Sequence, residues 1–148
     1  MALLNYTTSI AASKTIGEMQ DALAKAGANS IAVHYENGSP AGLTFSLRTK
    51  YGQHLFTLPV DVPAVHAVLQ KQKTSGGMSR ARFESTGHAE RVAWRISKTW
   101  LEAQLALVSV QMATIDQVML PYLHVGPDKT LYAAYQDQQD VLALTAGD

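Results

Sequence analysis

Two periods of apolar and polar residues alternate along this chain, and each change of period marks a boundary between elements. From Thr86 to Met112 apolar residues fall on two adjacent stripes. Val92, Ile96, Ala103, Leu107 and Val110 form one, and Trp94, Leu101, Leu105, Val108 and Met112 the other. Spacings near 3.6 predict one long helix over about residues 87–112, apolar over so wide an arc that it is covered from two sides. Its polar ridge, Arg91, Arg95, Lys98 and Glu102, is cationic at three of four positions. Thr15 and Glu18 have the spacing of a capping box ahead of Ile16, Met19 and Leu23, with Gly27 as a left-handed stop, which predicts a helix from Thr15 to Ala26.

Between these helices the period falls to two. Ile31, Val33 and Tyr35, then Leu43, Phe45 and Leu47, then His54, Phe56 and Leu58 read as three strands, separated by Asn37-Gly38 and by Lys50-Tyr51-Gly52. Loops this short leave no room for a crossover, so the strands form an antiparallel meander. Leu3 to Ile10 alternates weakly and reads as an edge strand. Asp61 caps a helix with Pro63 in its first turn, ending near Lys73. Thr74 to Ser79, with Gly76-Gly77 inside it, reads as a flexible loop, and Arg80 to Glu84 as a short strand or a continuation of that loop. A second capping box, Thr114 with Gln117, opens a short helix that Pro121 ends, and Leu131 to Leu144 has weak helical spacing. The expected class is α+β, a three- to four-stranded antiparallel sheet packed with helices, as one domain over 1–123 followed by a tail over 124–148.

Composition narrows the chemistry more than the architecture. At 148 residues with 47% apolar and 16% charged residues, the chain buries one core and has a lean surface, which suggests a homo-oligomer. No cysteine is present, so disulfides, thiolate nucleophiles and iron–sulfur clusters are excluded. No apolar run approaches the ~18 residues of a membrane span, and Met1 to Ile10 lacks the form of a signal peptide, so the reading is a cytoplasmic protein. The histidines, His34, His54, His66, His88 and His124, show no metal-ligand spacing, and the carboxylates are dispersed. We therefore expect no metal, no cofactor and no catalytic residue, that is, a non-enzymatic protein.

Net charge is zero but unevenly spread. Seven cations against two acids lie between Lys71 and Lys98, an excess of five that the other 120 positions offset. Lys71, Lys73, Arg80, Arg82, Arg91, Arg95 and Lys98 are the candidate nucleic-acid contacts, with Tyr51 at a hairpin tip as an aromatic platform. Trp94 and Trp100 are read as core.

Asn5-Tyr6-Thr7-Thr8, Lys14-Thr15 with Glu18, Arg91-Val92-Ala93-Trp94-Arg95-Ile96, Trp100-Leu101-Glu102-Ala103-Gln104 and Leu120-Pro121-Tyr122 resemble a family of small bacteriophage- and prophage-encoded proteins. The resemblance covers the chain up to Leu123 and implies a setting, the cytoplasm of an infected bacterium, without a reaction. The expectation is a bacteriophage protein that binds nucleic acid, preferably single-stranded DNA, along the basic ridge. The alternative is a counter-defence protein that captures a host nucleotide signal or inhibits a host defence protein.

Overall fold

The computed structural model describes residues 2–72 and 78–146. Lys73 and the Gly76-Gly77 loop lie outside the described residues. The α+β class holds. Element order is α1 (Ala12–Lys25), β1 (Ile31–Glu36), β2 (Ser39–Thr49), β3 (Gly52–Pro59), α2 (Val62–Lys71), α3 (Arg80–Phe83), α4 (Thr86–Ser109), α5 (Ile115–Met119), a 3₁₀ turn (Leu120–Tyr122), β4 (His124–Gly126), β5 (Lys129–Thr130) and α6 (Leu131–Ala146).

The first three strands are the expected antiparallel meander, with β2 in the centre. Asn37 and Gly38 both adopt positive φ at the β1–β2 turn. Facing pairs Ile31 with Phe45, Val33 with Leu43, and Phe45 with Phe56 put one phase of every strand into the core. Gly42 is glycine because β3 passes very close: a Cβ there would sit 2.9 Å from the Leu58 carbonyl oxygen. The other face of the sheet is more open and mostly polar, carrying His34, Thr44, Arg48, Gln53 and Thr57 beside an exposed Leu55. A hydrogen-bonded row crosses it from His34 Nε2 to Thr44 Oγ1 (2.5 Å), on to Thr57 Oγ1 (2.7 Å), and then to His124 Nε2 (2.5 Å). Beside that last bond, a backbone bridge between Phe56 and Leu123 ties the residue after the 3₁₀ turn to β3.

Helix α4 is the post around which the helical layer is built, and α1 and α2 flank it. At 24 residues it runs roughly 36 Å. Ala89, Val92, Ala93, Trp94 and Leu101 are buried along it, together with Met19 and Leu23 from α1 and Leu69 from α2. Trp94 is fully buried and donates its indole N–H to the Pro40 carbonyl (3.1 Å), tying the post to the start of β2. Burial fades beyond Leu101: Ala103 is exposed, as are Val110 and Met112. The helix also stops earlier than the apolar stripes do, because Gln111 turns left-handed at φ 64°.

Three local expectations are corrected. Leu3 to Ile10 is a set of turns, not an edge strand, because Asn5 takes positive φ and the segment lies over the helices: Leu3 N–H donates to Gln72 Oε1 (2.9 Å), and Asn5 Nδ2 to Thr99 Oγ1 (3.2 Å). Thr15 and Glu18 do not cap α1. The helix starts at Ala12 behind Ala11, which provides no side-chain cap, so both residues lie within the helix and their side chains reach α4. Arg80 to Phe83 is a turn of helix capped by Ser79, neither a continuation of the loop nor a strand that would align Arg80 with Arg82. The Asp61 cap and the Thr114–Gln117 capping box form as the spacing predicts.

Candidate functional site

The cationic ridge folds as one row of α4, but most of its charge is spent internally. Arg95 Nη1 donates to Glu18 Oε2 (3.2 Å) and to Thr15 Oγ1 (3.3 Å). Lys98 Nζ lies 3.1 Å from the same Glu18 oxygen and 2.9 Å from Glu102 Oε1. The Arg95 and Lys98 side chains are 19% and 14% exposed, so neither stands free in water. Glu18 in turn is held below the usual carboxylate range, first by its bond from Lys98 and then, against a desolvation penalty, by the charges of Arg95 and Lys98. Lys98 is pushed up by Glu102 and Glu18.

Arg80 is also occupied. Its guanidinium donates to the carbonyls of Gln70 (2.5 Å), Leu69 (3.4 Å) and Gln72, closing the C-terminal end of α2, and pairs with Glu84 (2.7 Å) over the ring of Phe83. Such a cation completes the helix's unpaired carbonyls. Lys71 and Arg82 are exposed, and Tyr51 is 71% exposed with Lys50 over its ring, at the far tip of the β2–β3 hairpin. Arg80, Arg95 and Lys98 are thus engaged by the protein's own groups, while Lys71, Arg82 and Tyr51 are exposed.

Arg91 behaves differently from its neighbours on the ridge. No carboxylate lies within ion-pair distance of it among the described residues, and its Nε is buried with no acceptor. It lines a cleft of about 340 Å³ with Ala12 and Ser13 at the start of α1, Gly87 at the start of α4, Tyr35 and Glu90. A second cleft of about 510 Å³ lies against the same Pro40, between Thr86 of α4, Asp61 and Pro63 at the start of α2, and Glu36 and Ser39 of the β1–β2 hairpin. The two clefts are adjacent arms of one grooved region, sharing only Pro40 and taking the neighbouring residues Thr86 and Gly87 from the start of α4.

The starts of α1 and α4 line the first arm and those of α2 and α4 the second, beside the end of the sheet where β1 and β3 finish. The first amides of a helix have no partner within it, and its start carries about half a positive charge. At α2 and α4 a side chain supplies a cap, Asp61 to the Ala64 N–H (3.0 Å) and Ser85 to the His88 N–H (3.1 Å), whereas α1 has none. Buried polar atoms in folded proteins nearly always find partners. Among the described residues the buried side-chain atoms without one are Ser39 Oγ, Gln72 Nε2, His88 Nδ1 and Arg91 Nε. Ser39 and Arg91 line this groove, and His88 stands one helical turn before Arg91. His88 is fully buried. Its Nε2–H donates to the Tyr6 carbonyl (2.6 Å), and burial, helped by the charges of Arg91 and Arg82, holds its pKa below the ordinary value. A neutral imidazole leaves Arg91 as the cation at this point of α4.

Of the groove, Arg91 alone was nominated from sequence. The available signal was Pro40, Pro59 and Pro63 at the ends of β2, β3 and α2, rigid residues gathered where strands stop. Among the described residues there is no cluster of three His, Asp or Glu side chains able to hold a metal ion, and no helix long and apolar enough to cross a membrane. No family model, no curated protein and no solved structure matches the chain, so geometry alone carries the functional reading.

Proposed function

We propose that this chain is a non-enzymatic binding protein for a small phosphate-bearing ligand, a nucleotide, held in the groove between the starts of α1, α2 and α4. The observation that carries this is Arg91: a half-buried side chain with no carboxylate partner among the described residues and a buried Nε without an acceptor, lining a cleft beside an uncapped helix start. Guanidinium groups and helix N-termini are the two commonest phosphate-binding devices, and here they share one concavity. Glu90 lies in the same arm and offsets one unit of positive charge, but the starts of α1 and α4 together supply about one unit more. A groove of several hundred Å³ suits a mononucleotide. In the infected cell implied by the resemblance to bacteriophage proteins, such a binder would capture a nucleotide signal, with α6 offering exposed Tyr132, Tyr135 and Leu142 for a second copy.

Single-stranded nucleic acid is the second reading, moved from the ridge to the open face of the sheet. Neither β2 nor β3 contains Asp or Glu, and at their shared tip Arg48, Lys50 and Tyr51 are all exposed. Two titrations separate the readings. A groove ligand raises the unfolding temperature with mononucleotide, with a shallow salt dependence that Arg91→Ala abolishes. A strand on the sheet binds oligodeoxythymidylate with a steep salt dependence, indifferent to Arg91 and sensitive to Lys50→Ala.

A further inference from the structure

Away from the groove, α6 meets the body at its own start. Its neighbours are the 3₁₀ turn, β4 and β5; the Leu131 N–H donates to the Leu123 carbonyl (2.7 Å), and Thr130 Oγ1 caps the helix by accepting from the Ala133 N–H (3.2 Å). From Tyr135 to Leu144 every residue is exposed. A helix of 16 residues is marginal in water by itself, and most helical stability in proteins comes from packing an apolar face. Such a face is present. Tyr132, Tyr135, Gln139 and Leu142 follow one another at spacings of three, four and three, the a and d positions of a heptad, and the three apolar members are half exposed or more. Ala133 and Ala134, half-buried, mark the side turned to the body, and the stripe lies on the opposite side. We infer that this stripe is a homodimer seam, covered by α6 of a second copy of the chain.

The chemistry of the stripe selects that occupant. Tyrosine hydroxyls and the Gln139 amide each donate and accept, so a facing copy can satisfy them, while Leu142 and the tyrosine rings bury apolar area in both directions. Gln136 and Gln138 flank the seam without charge. Both acids of the helix, Asp137 and Asp140, fall at the outer positions f and b, and Asp137 pairs with Lys129. Two copies therefore meet with no like charges across the seam, and a chain of zero net charge adds no long-range repulsion. Nucleic acid or an anionic membrane would call for lysine or arginine, and α6 contains neither; its polar side carries aspartate instead.

Sedimentation equilibrium of the full chain tests the seam. It should report a reversible monomer–dimer equilibrium with a dissociation constant of about 10–100 µM, as suits a seam about two heptads long. Gln139→Leu removes a polar residue from an a position and should tighten the dimer at least about tenfold. Tyr135→Lys combined with Leu142→Lys should leave a monomer, with the amides of β2 and α4 as protected from exchange as in the wild type. A chain that stays monomeric to about 1 mM, a dimer indifferent to both α6 variants, or one lost instead with Met112→Lys just beyond α4 overturns the inference. Nucleotide binding is read by Arg91→Ala, so the groove stands or falls separately.

Discussion

Arg91 and Arg95 are four residues apart on one helix, and what separates their roles is a single acid on the neighbouring one. Glu18 meets Arg95 and Lys98 but not Arg91, which therefore keeps its charge for the groove. Arg91→Ala should leave the free protein within about 1 kcal/mol of the wild type, since no ion pair is lost, while removing nucleotide-dependent thermal stabilisation. Trp94 has the opposite profile. Fully buried and bonded to the Pro40 carbonyl, it holds the wall common to both arms, so Trp94→Ala should destabilise by about 3–5 kcal/mol in urea unfolding. His88 adds a pH dependence. Its folded pKa is lowered, so the unfolded chain binds the proton more readily, and the stability that neutral His88 supplies is complete above its ordinary value of 6.5. That stability is lost as pH falls through the folded value. Unfolding midpoints taken at about pH 7.5 and about pH 5.5 should therefore draw apart less in His88→Gln than in the wild type.

Between elements, the contact of α1 with α4 decides the electrostatics of the molecule. Glu18 titrates below its ordinary value of 4.5, so its contribution is present above that value and is lost as pH falls through the folded pKa. Glu18→Ala should free Arg95 and Lys98, restore a continuous basic row and raise retention on a heparin column relative to the wild type; unchanged retention would mean that other groups neutralise the row. The same contact explains what sequence could and could not disclose. Residues near in the chain, such as the Asp61 cap, the Asn37-Gly38 turn, the Thr114–Gln117 box and the alternation of β2, specify their elements by themselves. Thr15 and Glu18 have an equally good local pattern, yet partners on α4, some 80 residues away, claim their side chains. The row from His34 to His124 was equally hidden, because nothing within the sequence sets His124 beside β3. Thr57→Val breaks that row at its middle, and amide hydrogen exchange should then quicken at Val125 and Gly126 while Phe45 stays protected.

At the scale of the whole molecule, a chain of zero net charge can still concentrate positive potential by aligning helices. α1 and α4 begin at the same groove, and Glu18 pairs with α4 further along, so the two run in the same direction. The start of α2 joins them, and the groove lies where these ends meet the end of the sheet. Hydrophobic periodicity made α4 and its ridge legible but could not report which ridge cation remains unpaired, since that depends on the register between α1 and α4. A nitrogen–proton correlation titration with GMP, with the arginine Nε–H signals included, tests the central claim most directly. The account predicts shifts concentrated at Ala12, Ser13, Thr86 and Gly87 and at the Nε–H of Arg91, with Arg95, Lys98 and Glu102 unmoved. Shifts that follow the ridge from Arg95 to Glu102, or none at the starts of α1 and α4, would contradict it.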